Sequence, residues 1–352
     1  MPLAIIIISI YTKKYRNYLF KKYINSKFFI IVMKRKLNLV GQNTLTVSLP
    51  SRWTKKLNLK KGDELEVSEE SRGLLISAEG RVIEKEATID ITNMKSSSVW
   101  RNMKALYQAG YSQITVMFSS PFIINNTSRR DIKNEPEKIE VYFLMTSIAG
   151  RLEGMKIIKH GLNKLIIKET SKLDPKNLDL YIKRILDLIV IISEESYNAF
   201  KKNDTDTLRN ILFLDEEVNA LSDTCLRMVN TYLHTDEEVV LLVPIIVLLE
   251  RIGDDYISLL KHYFSLRQKL TKEELYYFKK VNDASAEFQK IYVTKQGNIA
   301  DYQSEVINLR QELKKAIEIY KSFFLTYLKV ICEQILEMLH LFYYYKIEKK
   351  QK

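Results

Sequence analysis

Residues 248–255 read LLERIGDD, within a long stretch whose apolar side chains recur at helical spacing. Glu250 and Asp254 are four residues apart, so a helix places both carboxylates on one face. Because like charges at this spacing repel, the pair needs a compensating cation. A hard cation bound through oxygen ligands is one candidate, and a solvated acidic face is the alternative that the spacing leaves open.

A second acidic stretch lies upstream, where residues 212–221 read LFLDEEVNAL. Asp215 and Asn219 share one face of the predicted helix, again at a spacing of four. An antiparallel neighbouring helix would bring these two side chains near Glu250 and Asp254. The four residues together are therefore the candidate site of this region.

From about residue 174 onward the pattern is almost entirely helical. An Asp-Pro pair at 174–175 is typical of a helix start, and residues 235–238 and 271–274 both have the capping-box pattern. Six helices in two groups of three predict paired three-helix bundles at 173–270 and 271–352. The first predicted helix carries an apolar stripe at Leu178, Ile182, Ile185, Ile189 and Ile192. The other five are a helix over 206–232, one from 235 that is kinked at Pro244, one from 271, and two over 301–324 and 327–346.

The two acidic stretches, LDEEVNAL and ERIGDD, together resemble the PhoU family of phosphate-uptake regulators. The resemblance implies two repeated three-helix bundles. It also implies a cluster of iron or other divalent ions, held here by the four residues named above. The second bundle is a degenerate repeat that lacks the arginine and glycine of the motif, and its nearest counterparts are Glu333, Glu337, Gln303 and Ile307.

Residues 34–80 are strand-like, and their centre, residues 41–67, reads GQNTLTVSLPSRWTKKLNLKKGDELEV. Alternating apolar side chains predict a half-buried strand, followed by a short Pro-started helix and a turn at Gly62. So short a segment has too few apolar residues for a core of its own, which favours dimerisation. The stretch resembles the AbrB/MazE/SpoVT DNA-binding family, which implies that two chains interleave hairpins into one swapped β-barrel.

Basic side chains in this segment predict a DNA-binding surface, because long cations on a rigid barrel suit phosphate contacts. A basic surface that only aids solubility is the alternative. Two polar residues of the first loop are candidates for reading base edges. The candidate residues are Lys34, Arg35 and Lys36 on the first strand, Gln42 and Asn43 in the loop, and Arg52, Lys55 and Lys56 around the short helix.

Residues 81–172 alternate strands and helices and predict a small α/β layer. We expect strands over 87–92, 113–118, 155–159 and 164–168, helices over 97–109 and 138–148, and a loop between 118 and 136. The strings WRNMKALYQAGYSQITVMF and IAGRLEGMKIIKHGLNKLIIKETS, with the order AbrB–α/β–PhoU, resemble archaeal phosphate-uptake regulators. That resemblance covers residues 34–352.

The formal net charge is +12, and residues 1–33 contribute six basic and no acidic residues to it. The apolar run at 2–10 is too short to span a bilayer. Met33 directly precedes the patterned segment, so our hypothesis is that translation starts there and that the leader is a gene-start artefact. A basic amphipathic membrane-surface anchor is the alternative.

Two cysteines, Cys225 and Cys332, are too few for a disulfide framework and predict buried thiols in a reducing cytosol. Phosphate-binding, dinucleotide-binding, zinc-protease and serine-hydrolase motifs are absent from the sequence. Without a nucleophile or tuned base, a metal-dependent enzyme is the weakest alternative.

The sequence therefore predicts a multidomain α+β protein: a swapped-hairpin barrel, a small α/β layer and two helical bundles. We expect a cytoplasmic, homodimeric, non-enzymatic transcriptional regulator that binds DNA and senses phosphate status. The resemblance also implies contact with the ATPase subunit of a phosphate ABC transporter. A rival interpretation is an adaptor whose barrel only dimerises and whose helices dock on that transporter and inhibit it.

Overall fold

The computed structural model describes residues 34–41, 43–70, 73–78, 85–126, 137–232, 241–266 and 269–351. The chain divides into two compact units, Met1–Arg81 and Val82–Lys352. Residues 1–33, Gln42 and the capping-box pattern at 235–238 lie outside the described residues. The finer boundaries expected at 173 and 271 stay predictions.

Unit 1 contains two hairpins and a short helix, in the predicted order. Its elements are β1 (Leu37–Val40), β2 (Thr44–Val47), α1 (Ser51–Lys56), β3 (Glu66–Glu70) and β4 (Gly73–Ser77). Each hairpin is an antiparallel two-stranded sheet. Gly62 has a φ of +95°, as the predicted turn requires.

The first hairpin leaves its apolar side chains open to solvent. Leu39 faces Leu45 across β1 and β2, and these side chains are 64% and 62% exposed. The sequence predicts a half-buried strand here, but among the described residues the two-stranded ribbon has no second layer to cover this face. The swapped barrel requires a second chain and stays a prediction.

Unit 2 begins with a four-stranded sheet in the order β5-β6-β10-β9. β5 runs parallel to β6, whereas the other neighbours are antiparallel. The helix between β5 and β6 buries Val99, Met103 and Tyr107, whose spacing forms one apolar face. The elements of this α/β layer are β5 (Lys85–Asp90), α2 (Ser96–Gln108), β6 (Tyr111–Met117), β9 (Met155–His160) and β10 (Lys164–Glu169).

The helix expected over 138–148 is partly wrong. Strand β8 (Lys138–Glu140) precedes helix α3 (Val141–Arg151). β8 pairs with β7 (Phe122–Ile124), which lies inside the segment expected to be a loop. Ile123 on β7 is 5% exposed and faces Ile139, so a tertiary contact outweighs the local helical preference.

The remainder of unit 2 is helical. Asp174 accepts a hydrogen bond from the Lys176 amide in a short 3-10 turn, and Thr271 and Glu274 form the predicted capping box. The stripe from Leu178 to Ile192 is buried as predicted. The helices are α4 (Leu178–Lys202), α5 (Thr205–Ile211), α6 (Leu214–Tyr232), α7 (Leu242–Leu266), α8 (Lys272–Thr294), α9 (Ile299–Tyr320) and α10 (Phe323–Gln351).

The single helix expected over 206–232 is also wrong, because the chain turns at 212–213 between α5 and α6. Leu208 and Ile211 bury their side chains on α5, whereas Phe213 in the turn is 71% exposed. The break lets both helices present an apolar face to the same core. Pro244 is the third residue of α7 as the structure describes it, and the kink expected there stays a prediction.

One continuous apolar core extends through the helices of both predicted bundles. Cys225 and Cys332 are free and fully buried in it, which confirms the prediction of buried thiols. A second core lies between the α/β sheet and its helices. Within the described residues, no helix combines the length and the apolar content needed to cross a membrane.

Candidate functional site

Helices α6 and α7 approach each other closely at Gly253. A Cβ atom at this position would lie 3.2 Å from Cγ1 of Val218 and 3.7 Å from Oδ1 of Asp215. The missing side chain therefore allows α7 to pack against the first turns of α6. This contact brings the candidate residues of the two helices to one place, as the sequence predicts.

Asp215 lies at the start of α6, and its Oδ1 atom is buried without a hydrogen-bond partner in the described part of the chain. Burial, with the nearby charge of Asp254, raises the pKa of Asp215 to about 6. The Asn219 side chain and Lys261 oppose this rise in pKa. Burial is the main cause that raises the pKa of Asp254, and the nearby charge of Glu250 adds to this rise.

We call the side of α6 and α7 that carries Asp215, Asp223, Glu250 and Asp254 the acidic face. The cation that forms ion pairs on this face was not predicted. Lys104 extends from α2, and its Nζ atom lies 2.5 Å from Oε1 of Glu250 on α7. The same Nζ atom lies 3.1 Å from Oδ1 of Asp223 on α6. One ammonium group thus joins two helices of the bundle to the α/β layer.

Asp223 is only 7% exposed, and it also accepts a hydrogen bond from Nε2 of Gln108 at 2.6 Å. Burial raises the pKa of Asp223 to about 6, although Lys104 and Gln108 both favour its ionised form. For Lys104, burial lowers the pKa, but Asp223 and Glu250 outweigh burial and raise it. The three groups therefore form one ion-pair network in a largely buried setting.

Arg227 continues the same face of α6 and is fully buried. Its guanidinium donates to the main-chain carbonyls of Tyr107 and Tyr111 and to Oε1 of Glu169. Residues 215, 219, 223 and 227 recur every fourth position, so continuing the helical spacing would have found Asp223 and Arg227. Lys104 had no such signal, because it lies 146 residues away from Glu250 along the chain.

Two observations on the described residues count against a metal ion at the predicted ligands, and one favours it. Among the described residues, no three His, Cys, Asp or Glu side chains converge closely enough to hold one. Lys104 already lies against Glu250. The unpaired Oδ1 atom of Asp215 is the one feature that favours a ligand. Metal at Glu250, Asp254, Asp215 and Asn219 stays a prediction.

The counterparts in the second bundle lie on helices α9 and α10. Glu333 forms an ion pair with Lys329 on its own helix, at 2.9 Å. Burial raises the pKa of Glu337, and Ile307 is 39% exposed. Gln303 is half-buried on α9.

The predicted DNA-binding side chains of unit 1 are mostly placed on its surface. Gln42 lies outside the described residues, and Lys56 is the last residue of α1. The exposed members of the set are Lys34, Arg35, Lys36, Asn43, Arg52 and Lys55. Their contact with DNA stays a prediction.

Two models of known families match separate segments of this chain. The model of the antidote-toxin recognition family MazE, a bacterial antitoxin, matches residues 40–84. The PhoU domain model matches residues 182–258. We refer to the two matched segments as the MazE/AbrB-like segment and the PhoU domain. The MazE/AbrB-like segment includes Asn43, Arg52 and Lys55, but it begins at the last residue of β1.

The PhoU domain spans most of α4 and continues through α5 and α6 to residue 258, about two-thirds of the way along α7. It therefore contains the four predicted metal ligands and both Asp223 and Arg227. Lys104 and Tyr107 belong instead to the α/β layer. The distinctive contact of this acidic face thus comes from outside the PhoU domain.

A solved structure described as a PhoU-like phosphate regulatory protein, from Shewanella oneidensis MR-1, is also similar. The two share 12% sequence identity over 50% of this chain and 94% of that chain, with a TM-score of 0.31. Among curated proteins, none matches this chain significantly.

Proposed function

We propose that the protein is a phosphate-responsive transcriptional regulator of phosphate uptake. Unit 1 binds DNA as a homodimer, and the PhoU domain with its neighbouring helices senses phosphate status. The observation that carries the proposal is the presence of a MazE/AbrB-like segment and a PhoU domain on one chain. Both families are regulatory, which supports a role without catalysis.

The surface of unit 1 supports DNA binding. Arg35 and Arg52 are both exposed, the first just before β1 and the second on α1, and both carry a permanent charge. Residues 34–80 contain nine basic and six acidic residues, a surplus of positive charge. Cations of this kind supply the salt-dependent, phosphate-directed part of DNA affinity.

The same unit supports a homodimer. Leu39 and Leu45 lie on one face of the first hairpin and are both largely exposed in the single chain. A second copy of the hairpin is the chemically matching cover for this face. In the dimer, two basic surfaces would act on one DNA duplex.

Binding to DNA is tested with the full chain. We would map bound sites across the genome at high and low phosphate, and then measure affinity for a recovered fragment at several salt concentrations. The variant Arg35→Ala/Arg52→Ala removes two predicted phosphate contacts. We expect weaker binding and a salt dependence whose logarithmic slope falls by about 2.

The matched control is Lys156→Ala/Lys159→Ala, which removes two exposed cations from unit 2. We expect its affinity and salt slope to equal those of the wild type. If the intact dimer binds no DNA under any phosphate condition, the adaptor that docks on a transporter ATPase subunit becomes the better interpretation. Affinity lost equally in both double variants would mean that net charge alone attracts DNA.

A further inference from the structure

We propose that Lys104 is a built-in cation that takes the place of a metal ion on the acidic face of the PhoU domain. Its ammonium bridges Glu250 on α7 and Asp223 on α6, so the wild-type face does not load metal. The inference concerns this face alone and stands whether or not unit 1 binds DNA.

The geometry of the bridge carries the inference. Nζ of Lys104 lies 2.5 Å from Glu250 and 3.1 Å from Asp223, and both are hydrogen-bonding distances. An ammonium group is a compact point charge with three donors, so it can serve two carboxylates at once. It thereby satisfies carboxylates from two helices, which is the task that a divalent ion would perform between them.

Burial makes the bridge difficult to displace. The side chains of Glu250 and Asp223 are 18% and 10% exposed, and that of Lys104 is 30% exposed. An unpaired charge in such a setting is costly, so the carboxylates require a cation of some kind. A metal ion at Glu250 would have to expel an ammonium that the fold itself holds in place.

The charges around the bridge explain why removing Lys104 should create a metal site. The charge of Glu250 acts on both Asp215 and Asp254, and the charge of Asp254 acts on Asp215. Lys261 is a further cation that acts on both Asp215 and Asp254. Without Lys104, Glu250 and Asp223 lose the cation that they share, and oxygen ligands of this type suit a hard divalent ion.

The experiment compares the metal content and Mn²⁺ affinity of the purified full-length wild type with those of Lys104→Met. The apolar substitution keeps the length of the side chain and removes its charge. We expect the wild type to hold far less than one metal per chain. We expect Lys104→Met to bind Mn²⁺ at least about 10-fold more tightly, by equilibrium dialysis and elemental analysis.

Two further variants connect this gain to the bridge. Lys104→Arg keeps the positive charge and should bind Mn²⁺ as weakly as the wild type does. Lys104→Met/Glu250→Gln should lose the gain, because a ligand is removed with the cation. Circular dichroism and size-exclusion chromatography verify folding, and Lys104→Gln replaces Lys104→Met if the latter does not fold.

Two results would overturn the inference. One is a wild type that holds stoichiometric metal and loses it on Glu250→Gln substitution, since the face would then be a metal site despite Lys104. The other is a folded, neutral Lys104 variant without any gain in Mn²⁺ affinity. Lys104 would in that case be an ion-pair partner only.

Discussion

The guanidinium of Arg227 donates to the main-chain carbonyl of Tyr107 at 2.8 Å and lies over the ring of the same residue, 4.7 Å from its centroid. Arg227 belongs to the PhoU domain, and Tyr107 belongs to helix α2 of the α/β layer. Further bonds reach the Tyr111 carbonyl and the Glu169 carboxylate. A fully buried cation thus fastens the helical region to the sheet through three separate elements.

Arg227→Met is expected to destabilise the protein by about 3–5 kcal/mol, because it removes the ion-pair partner of the largely buried Glu169 carboxylate and one donor from each of two carbonyls. Urea unfolding followed by circular dichroism measures the change. The control is Arg209→Met, whose exposed ion pair with Asp206 should contribute less than about 1 kcal/mol. Equal losses in the two variants would contradict the role of Arg227.

Gly253→Val is expected to destabilise the protein by about 1–3 kcal/mol, because the new side chain overpacks the contact with Val218. Gly150→Val is the matched control, since this helical glycine has no heavy atom within 4 Å of the added Cβ. Adding Val218→Ala to Gly253→Val should recover part of the loss, which a double-mutant cycle measures. Strictly additive effects would show that the two helices do not meet at these residues.

The stability of the protein should depend on the ionisation of Asp215. Its pKa rises from the ordinary 3.8 to about 6 on folding, so the folded state favours the protonated carboxyl. The resulting stabilisation is complete below pH 3.8 and is lost as the pH rises through about 6. Relative to Asp215→Asn, which cannot ionise, the wild type should therefore become less stable between these values and change little above pH 7.

Urea unfolding of both proteins between pH 4.5 and 7.5 measures this difference. Asp206→Asn is the control, because Asp206 is exposed and its removal should leave the pH dependence of the wild type intact. A constant difference between the wild type and Asp215→Asn over this range would show that Asp215 titrates normally.

Leu39→Asp/Leu45→Asp should convert the proposed homodimer to a monomer. The two substitutions would place charges on the apolar face that the proposed dimer buries, and we expect the dimer dissociation constant to rise at least about 100-fold, roughly 2.7 kcal/mol. Sedimentation equilibrium measures the association. Leu162→Asp, at a 94% exposed site of unit 2, should leave it unchanged. A dimer that survives the double substitution would place the interface elsewhere.

Much of the fold was predictable because its signals are local. The capping box at Thr271 and the buried stripe from Leu178 depend on residues within a few positions of one another. Strand β8 was missed because it exists only through pairing with β7, across a long connection. The turn at 212–213 was missed because apolar spacing continues through it.

The candidate site was likewise predictable only where its signals are local in the sequence. The proximity of Asp215 to Asp254 was predictable from helical spacing and from the expectation of an antiparallel neighbouring helix. Lys104 could not be predicted, because the docking of α2 on α6 depends on contacts between residues more than a hundred positions apart. Spacing identifies which carboxylates share a face, but it does not identify the cation that neutralises them.

The buried position of Arg227 has a consequence for how the protein can be divided. A fragment that begins at residue 173 would keep this guanidinium and lose all three of its acceptors, at Tyr107, Tyr111 and Glu169. The α/β layer therefore supplies the acceptors that a buried cation of the helices requires. Expression of the helical region alone should yield an aggregation-prone chain, whereas cutting between the two compact units at residue 81 spares this contact.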